Sequence, residues 1–157
     1  MKINIITGEI RSGKTTFLQN LILSYNNVEG IIQPTIGENR FFQDIKSKQT
    51  KEITSQKEDE NTFVLGRFLF KRESFIWAKE ILKNAIKNKP KTIVVDEFGP
   101  LELNGNGLEP VVSEIIELIK KGKNIKLIII IRENLIKDFL RKFDLAKNTV
   151  EIIKIGN

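Results

Sequence analysis

Apolar and polar residues follow two patterns that alternate along this chain. Short runs rich in isoleucine and valine predict buried β-strands at residues 3–6, 28–33, 92–96, 126–131 and 150–155. Between several of these runs, apolar residues recur every three or four positions, which is the spacing of one face of an α-helix. Because strands alternate with helices, the chain predicts an α/β fold with a mostly parallel central sheet and right-handed crossovers.

Four helices are predicted from the helical spacing. The first follows Gly13 and ends near Tyr25, and the others cover residues 74–88, 110–121 and 135–143. Each carries a stripe of apolar side chains that is suited to packing against a sheet. Helices on both faces of the sheet would give a three-layer arrangement.

The segment after Pro34 is polar and charged, and it interrupts this alternation. Proline cannot continue a central strand, so the second apolar run ends there. Short alternating pieces at residues 40–45 and 51–54 predict a hairpin inserted at the edge of the sheet. A flexible tip is expected near residues 56–61, and the short run at 62–70 is expected to lead into the second helix.

Chain length and hydrophobicity favour a single folded unit. With 157 residues, of which 40% are hydrophobic, the chain is long enough for one domain with a sizeable core. No apolar run approaches the roughly 20 residues needed to cross a membrane, and no cleavage signal precedes the first strand. We therefore expect one domain over residues 1–157, in a cytoplasmic monomer with no membrane partner.

Two residue types are missing, and their absence limits the chemistry. The sequence contains no cysteine and no histidine, which excludes disulfides, thiol chemistry, imidazole bases and most zinc sites. Any catalysis must use carboxylates, hydroxyls, cations and a bound metal. The net charge of +6 would allow a nucleic-acid partner, but the lysines are dispersed among acidic residues. That pattern favours a solvated surface and does not indicate nucleic acid.

A glycine-rich stretch follows the first predicted strand and opens the first helix. Two glycines, four free positions, a lysine and a hydroxyl complete the P-loop pattern. Glycines let the backbone turn so that successive N–H groups converge on a phosphate, and the helix N-terminus adds partial positive charge. The predicted nucleotide-binding residues are Gly8, Glu9, Ile10, Arg11, Ser12, Gly13, Lys14, Thr15 and Thr16.

Three side chains of this loop have predicted roles toward a nucleoside triphosphate. Lys14 would reach the β- and γ-phosphates, where it would also serve catalysis. The hydroxyl of Thr15 would ligate the Mg²⁺ that accompanies the nucleotide. Thr16 can bond the α-phosphate.

The buried strand at residues 92–96 ends in two carboxylates, Asp96 and Glu97. A strand end in an open α/β sheet lies at the same edge as the phosphate loop, so the two motifs can meet in space. Asp96 is the expected second ligand of Mg²⁺. In a chain without histidine, Glu97 is the carboxylate expected to orient and polarise the attacking water.

The residues that follow these carboxylates carry a family resemblance. The stretch resembles the Asp-Glu-x-Gly-Pro-x-Glu-Leu signature of the small THEP-type nucleoside-triphosphatases, which include the cancer-related nucleoside triphosphatases. Here it consists of Asp96-Glu97-Phe98-Gly99-Pro100-Leu101-Glu102-Leu103. The resemblance implies a RecA-like P-loop fold and slow, fairly unselective hydrolysis of nucleoside triphosphates to diphosphates with Mg²⁺.

A cation near the γ-phosphate would stabilise the charge that spreads over its oxygens in the transition state. Arg132, directly after the strand at residues 126–131, is a candidate catalytic residue. Arg11 and Arg72 are alternatives, and the sequence does not rank the three. Glu102 is expected to tie down the signature loop through hydrogen bonds, with water binding as the alternative.

Three other functions compete with hydrolysis. A regulatory GTPase would share Asp96 and Gly99 as Asp-x-x-Gly, but the Asn88-Lys89-Pro90-Lys91 stretch lacks the aspartate that reads guanine. A small-molecule or nucleoside kinase would need an acceptor pocket, for which residues 37–51 supply only Arg40. A nucleotide-dependent switch or binding module would act with a partner.

Overall fold

Ten strands and five α-helices make up the part of the chain that the computed structural model describes, residues 2–9 and 11–156. The strands are β1 (Ile3–Gly8), β2 (Val28–Ile32), β3 (Thr35–Ile36), β4 (Asn39–Asp44), β5 (Thr50–Glu52), β6 (Thr62–Leu65), β7 (Phe68–Lys71), β8 (Thr92–Phe98), β9 (Lys126–Ile131) and β10 (Val150–Ile155). The helices are α1 (Lys14–Ile22), α2 (Arg72–Asn88), α3 (Pro100–Leu103), α4 (Val111–Lys120) and α5 (Ile136–Lys142). Short 3₁₀ turns lie at Glu133–Leu135 and Lys147–Thr149.

Eight of these strands form one sheet in the order β10-β1-β9-β8-β2-β4-β3, with β5 paired to β4. All neighbours from β10 to β2 are parallel. The strands β3, β4 and β5 extend this sheet in antiparallel fashion. The predicted mostly parallel sheet is therefore confirmed. Because β1, β9, β8 and β2 run in the same direction, the residues that follow them share one edge of the sheet.

Both faces of the sheet are covered, as the alternation along β8 shows. Ile93 and Val95 belong to the larger core cluster, which also contains buried residues of α2, α4 and α5. Val94 points to the other face and belongs to a smaller cluster with Leu18 of α1. The three layers expected from the sequence are present, and the β-branched run of β8 is buried because each face of the strand meets a helix layer.

The boundaries of the parallel strands and long helices lie close to those predicted. The strands over residues 126–131 and 150–155 have the predicted ends. The strand that begins at Thr92 continues to Phe98, two residues beyond its predicted end, because Phe98 still pairs with Ile131 after a register shift. The helix predicted from residue 74 begins at Arg72.

The segment between β2 and α2 is more structured than the sequence prediction. The predicted edge hairpin is present as β4 and β5, with β3 as an additional strand. The run at residues 62–70, predicted only as a lead into the helix, is a second hairpin of β6 and β7. Gly66 has a φ of 61° at its turn, a conformation that glycine adopts readily. Packing of Phe63 and Phe70 against Phe75 of α2 holds this hairpin to the domain.

Within the described residues, none of the helices has both the length and the apolarity that a membrane crossing would require.

The close approach of β2 to β8 makes Gly30 a sensitive position. Its φ is +133°, and a Cβ added there would lie 2.7 Å from the backbone nitrogen of Val94. We predict that Gly30→Ala lowers the free energy of unfolding by about 2 kcal/mol or more, because it adds overpacking to backbone strain. Urea unfolding measures the change. The control Gly37→Ala has a φ of +65° but open space around the new methyl group, so only strain of about 1 kcal/mol is expected. Equal losses in the two variants would show that the Val94 contact is not the cause.

Candidate active site

The P-loop connects the end of β1 to the start of α1 in a closed turn. Gly13 immediately precedes the helix with a φ of +86°, a left-handed conformation that glycine adopts without a steric penalty. A Cβ on Gly8 would lie 2.5 Å from the Oγ atom of Ser12 and 2.6 Å from the carbonyl oxygen of Ile155, so only glycine fits there. Ile10, one of the predicted nucleotide-binding residues, lies outside the described residues.

The lysine of the loop folds back over the loop itself. Lys14 Nζ donates hydrogen bonds to the carbonyl oxygens of Glu9 at 2.7 Å and Gly8 at 3.3 Å. The ammonium group therefore lies beside the concave backbone that would receive a phosphate. A phosphate would offer it a charged acceptor, and charge-assisted hydrogen bonds are roughly twice as strong as neutral ones.

Three elements meet at the carboxylate of Asp96. The hydroxyl of Thr15, in the first turn of α1, donates to Asp96 Oδ2 at 2.8 Å. The backbone N–H of Gln33, which follows β2, donates to the same oxygen at 2.9 Å. The two residues predicted to bind the metal are therefore in direct contact, although 81 positions separate them in the sequence.

Burial dominates the electrostatics of this carboxylate. Asp96 is only 3% exposed. Burial, followed by repulsion from Glu97, raises the pKa of Asp96 to about 6, although the hydrogen bonds from Gln33 and Thr15 and the charge of Arg40 oppose the shift. A desolvated carboxylate of this kind would gain from a divalent cation, because the cation replaces the lost hydration.

The neighbouring Glu97 is held between two arginines. Its Oε1 atom lies 3.5 Å from Nη2 of Arg40 and 3.9 Å from Nη2 of Arg132. Arg132 follows β9, the strand that lies between β1 and β8, so its place in the sheet explains its closeness to both motifs. Among the two alternatives, Arg72 stacks on the ring of Phe63, and Arg11 is exposed on the loop with a φ of 62°.

Gln33 and Arg40 belong to this site, although the sequence analysis did not predict Gln33 and considered Arg40 only as part of a kinase acceptor pocket. The side-chain oxygen of Gln33 accepts a hydrogen bond from Arg40 at 2.6 Å. Gln33 thus connects the two acids, through its backbone to Asp96 and through Arg40 to Glu97. A signal was available for Gln33, since it is the polar residue that ends a parallel strand at the sheet edge where ligands bind. Arg40 had no such signal in the sequence, because its position beside Glu97 depends on how β4 pairs.

The described residues offer a partial coordination shell for a metal. They contain no group of three or more acidic, cysteine or histidine side chains placed to hold an ion. A hydroxyl from Thr15 and a carboxylate from Asp96 would instead leave most positions for phosphate oxygens and water. Mg²⁺ commonly binds in this way, through one or two protein ligands together with substrate phosphates. The donor set therefore fits a Mg²⁺ ion that arrives with a nucleotide.

Glu102 shapes the loop that follows the two acids. Its carboxylate oxygens accept hydrogen bonds from the N–H groups of Gly99 and Leu108, each at 2.9 Å. These bonds tie the loop together, as expected from the sequence. Burial raises the pKa of Glu102 to about 7, although the backbone N–H donors oppose the shift.

This buried glutamate should leave a signature in the pH dependence of stability. Its folded-state pKa lies above the ordinary value of 4.5, so its stabilising contribution is fully present below about pH 4.5 and is lost as the pH rises through about 7. We predict that the wild-type protein loses up to about 3 kcal/mol relative to Glu102→Gln between pH 4.5 and 8, because glutamine does not titrate. Urea unfolding at several pH values checks this. The exposed control Glu114→Gln should follow the wild-type curve, and a parallel curve for Glu102→Gln would contradict the assignment.

Comparisons with known structures show the fold. The chain is similar to the crystal structure of THEP1 from the hyperthermophile Aquifex aeolicus, with 18% identity, a TM-score of 0.76 and coverage of 98% of this chain and 89% of that chain. It is also similar to the solution structure of a human cancer-related nucleoside triphosphatase, with 15% identity, a TM-score of 0.68 and coverage of 100% and 90%. Among curated protein sequences, none matches significantly.

The family assignment comes from the sequence along nearly the whole chain. A family model described as NTPase matches residues 3–157. That range contains the P-loop, both acids and Arg132. The chain belongs to this NTPase family, the THEP1-type group that its signature resembles.

Proposed function

We propose that the protein is a Mg²⁺-dependent phosphohydrolase that converts ATP, GTP and other nucleoside triphosphates to diphosphates and inorganic phosphate. The hydrogen bond of 2.8 Å between Thr15 and Asp96 is the main support. It brings the phosphate loop and the acidic strand end together at the edge of the sheet. Membership of an NTPase family supports the reaction class.

The triphosphate would lie along the P-loop. Lys14 would exchange its carbonyl partners for oxygens of the β- and γ-phosphates, and Thr16 would bond the α-phosphate. Thr15 and Asp96 would hold Mg²⁺, which when bound supplies positive charge to the phosphate oxygens. Backbone N–H groups of the loop would orient the chain of phosphates.

Glu97 would then act on the attacking water. The water oxygen forms a bond to the γ-phosphorus, the bond from that phosphorus to the bridging oxygen of the β-phosphate breaks, and Glu97 accepts the proton from water. The products are the nucleoside diphosphate and inorganic phosphate. Arg40 and Arg132 share the charge of Glu97. An incoming γ-phosphate would offer both arginines a second anionic partner and would release Glu97 to bind water.

Removing the loop cation should abolish turnover. We predict that Lys14→Ala lowers phosphate release at least about 100-fold, because it removes a charge directed at the transferred group. Phosphate release is measured with each common ribonucleoside and deoxyribonucleoside triphosphate, with Mg²⁺ and then with a chelator that removes it. The control Lys83→Ala removes an equal charge from the exposed face of α2. Normal turnover in Lys14→Ala, or full activity without a divalent cation, would refute the proposal.

A second variant separates catalysis from binding. We predict that Glu97→Gln binds Mg²⁺ and ATP with near-normal affinity while single-turnover phosphate release falls by about 100-fold or more, because the amide cannot accept a proton. Equilibrium binding and single-turnover kinetics on one preparation measure both quantities. Glu114→Gln, on the exposed side of α4, is the matched control. Loss of binding together with turnover would assign Glu97 a structural or metal-binding role.

A further inference from the structure

A cavity of about 410 Å³ adjoins Glu97 but does not include the phosphate loop. Glu97, Arg40 and Arg132 line it together with residues of the β6–β7 hairpin and with residues 99–102 of the signature loop. None of the described P-loop residues lines it. Its volume lies within the roughly 300–1,000 Å³ of small-molecule sites. A triphosphate on the P-loop would therefore leave this space free for a second ligand.

The hairpin residues that line the cavity present flat apolar surfaces. The rings of Phe68 and Phe70 are nearly parallel, with an interplanar angle of 15° and centroids 6.1 Å apart. The guanidinium of Arg67 lies 5.3 Å from the centroid of Phe68. Phe68 nevertheless remains 43% exposed. Because the Arg67 guanidinium lies over this exposed ring, a heteroaromatic base would displace the arginine and take its place as the stacking partner of Phe68.

The same cavity is also lined by Glu97, Arg40 and Arg132, the groups proposed to act on the γ-phosphate. Glu97 could accept a proton from a hydroxyl as readily as from water. Arg40 and Arg132 would face the transferred phosphoryl group, whose charge spreads over its oxygens. The molecule that accepts the phosphoryl group needs no charge of its own. A ligand that joins a flat base to a hydroxyl-bearing sugar would satisfy both the aromatic and the charged lining residues.

We infer that this cavity binds a nucleoside and that the protein transfers the γ-phosphoryl group to it. The base would stack on Phe68, and the 5′-hydroxyl would reach Glu97. The hydroxyl oxygen forms a bond to the γ-phosphorus, the bond to the bridging oxygen of the β-phosphate breaks, and Glu97 takes the hydroxyl proton. The products are a nucleoside 5′-monophosphate and the nucleoside diphosphate. This inference rests on the proposed function, because the same bound triphosphate supplies the phosphoryl group.

The chain with Mg²⁺ and γ-labelled ATP provides the test. Adenosine, guanosine, cytidine, uridine and thymidine are added separately, and labelled monophosphate and labelled inorganic phosphate are measured in the same reaction. We expect labelled monophosphate from at least one nucleoside and none from 5′-deoxyadenosine, which lacks the attacking hydroxyl. Inorganic phosphate with no monophosphate from any nucleoside would overturn the inference and leave the proposed hydrolysis standing. If label appeared in neither monophosphate nor inorganic phosphate, both this inference and the proposed hydrolysis would be overturned.

Variants of the hairpin test the location of the site. We predict that Phe68→Ala raises the KM for the nucleoside about ten-fold through loss of stacking. Its KM for ATP and its phosphate release without nucleoside should stay within about two-fold of wild type, since the ring lies outside the P-loop. Phe68→Trp should restore the nucleoside KM. Val64→Ala, also exposed on this hairpin but outside the cavity lining, is the control. An unchanged nucleoside KM in Phe68→Ala would overturn the inference.

Discussion

The contact between Thr15 and Asp96 is the interaction on which the geometry of the site depends. It joins the start of α1 to the end of β8 through a single buried carboxylate oxygen, which also accepts the backbone N–H of Gln33. Burying a carboxylate is costly unless donors or a cation compensate it. The raised pKa of Asp96 indicates that the two hydrogen bonds compensate only in part. The fold thus places an acid where its most favourable partner would be a cation brought by the ligand.

Much of this site could be predicted from local sequence signals. The β1–loop–α1 unit has a defined residue spacing, and β8 is a continuous β-branched run because both of its faces are covered. The position of Arg132 follows from the rule that parallel strands end at one edge. Arg40 could not be predicted in this way, because it reaches Glu97 only through the antiparallel pairing of β4 with β2. The β6–β7 hairpin escaped prediction because its stability comes from aromatic packing on α2, which has no local sequence period.

The ion pairs around Glu97 restrain this acid between two arginines. Both arginines approach the same carboxylate oxygen, and Gln33 fixes the direction of one of them. The proposed redistribution of the arginines toward a phosphate would loosen these ion pairs. The arrangement therefore couples the reactivity of Glu97 to occupancy of the neighbouring loop.

Arg40 lies on β4, which pairs with β2 and with the outer strands β3 and β5 and is not part of the parallel core. The strands from β10 to β2 are held by neighbours on both sides or by the two helix layers, whereas β3, β4 and β5 are an extension of the sheet. Residues 35–71 carry this extension and the β6–β7 hairpin. The chain links this segment to the parallel core only at the two ends of the segment. Exchange of this segment would alter the surroundings of Glu97, the proposed catalytic acid, and would leave the phosphate loop itself in place. The fold thereby separates the phosphate loop from the segment in which the proposed choice of a second substrate would change.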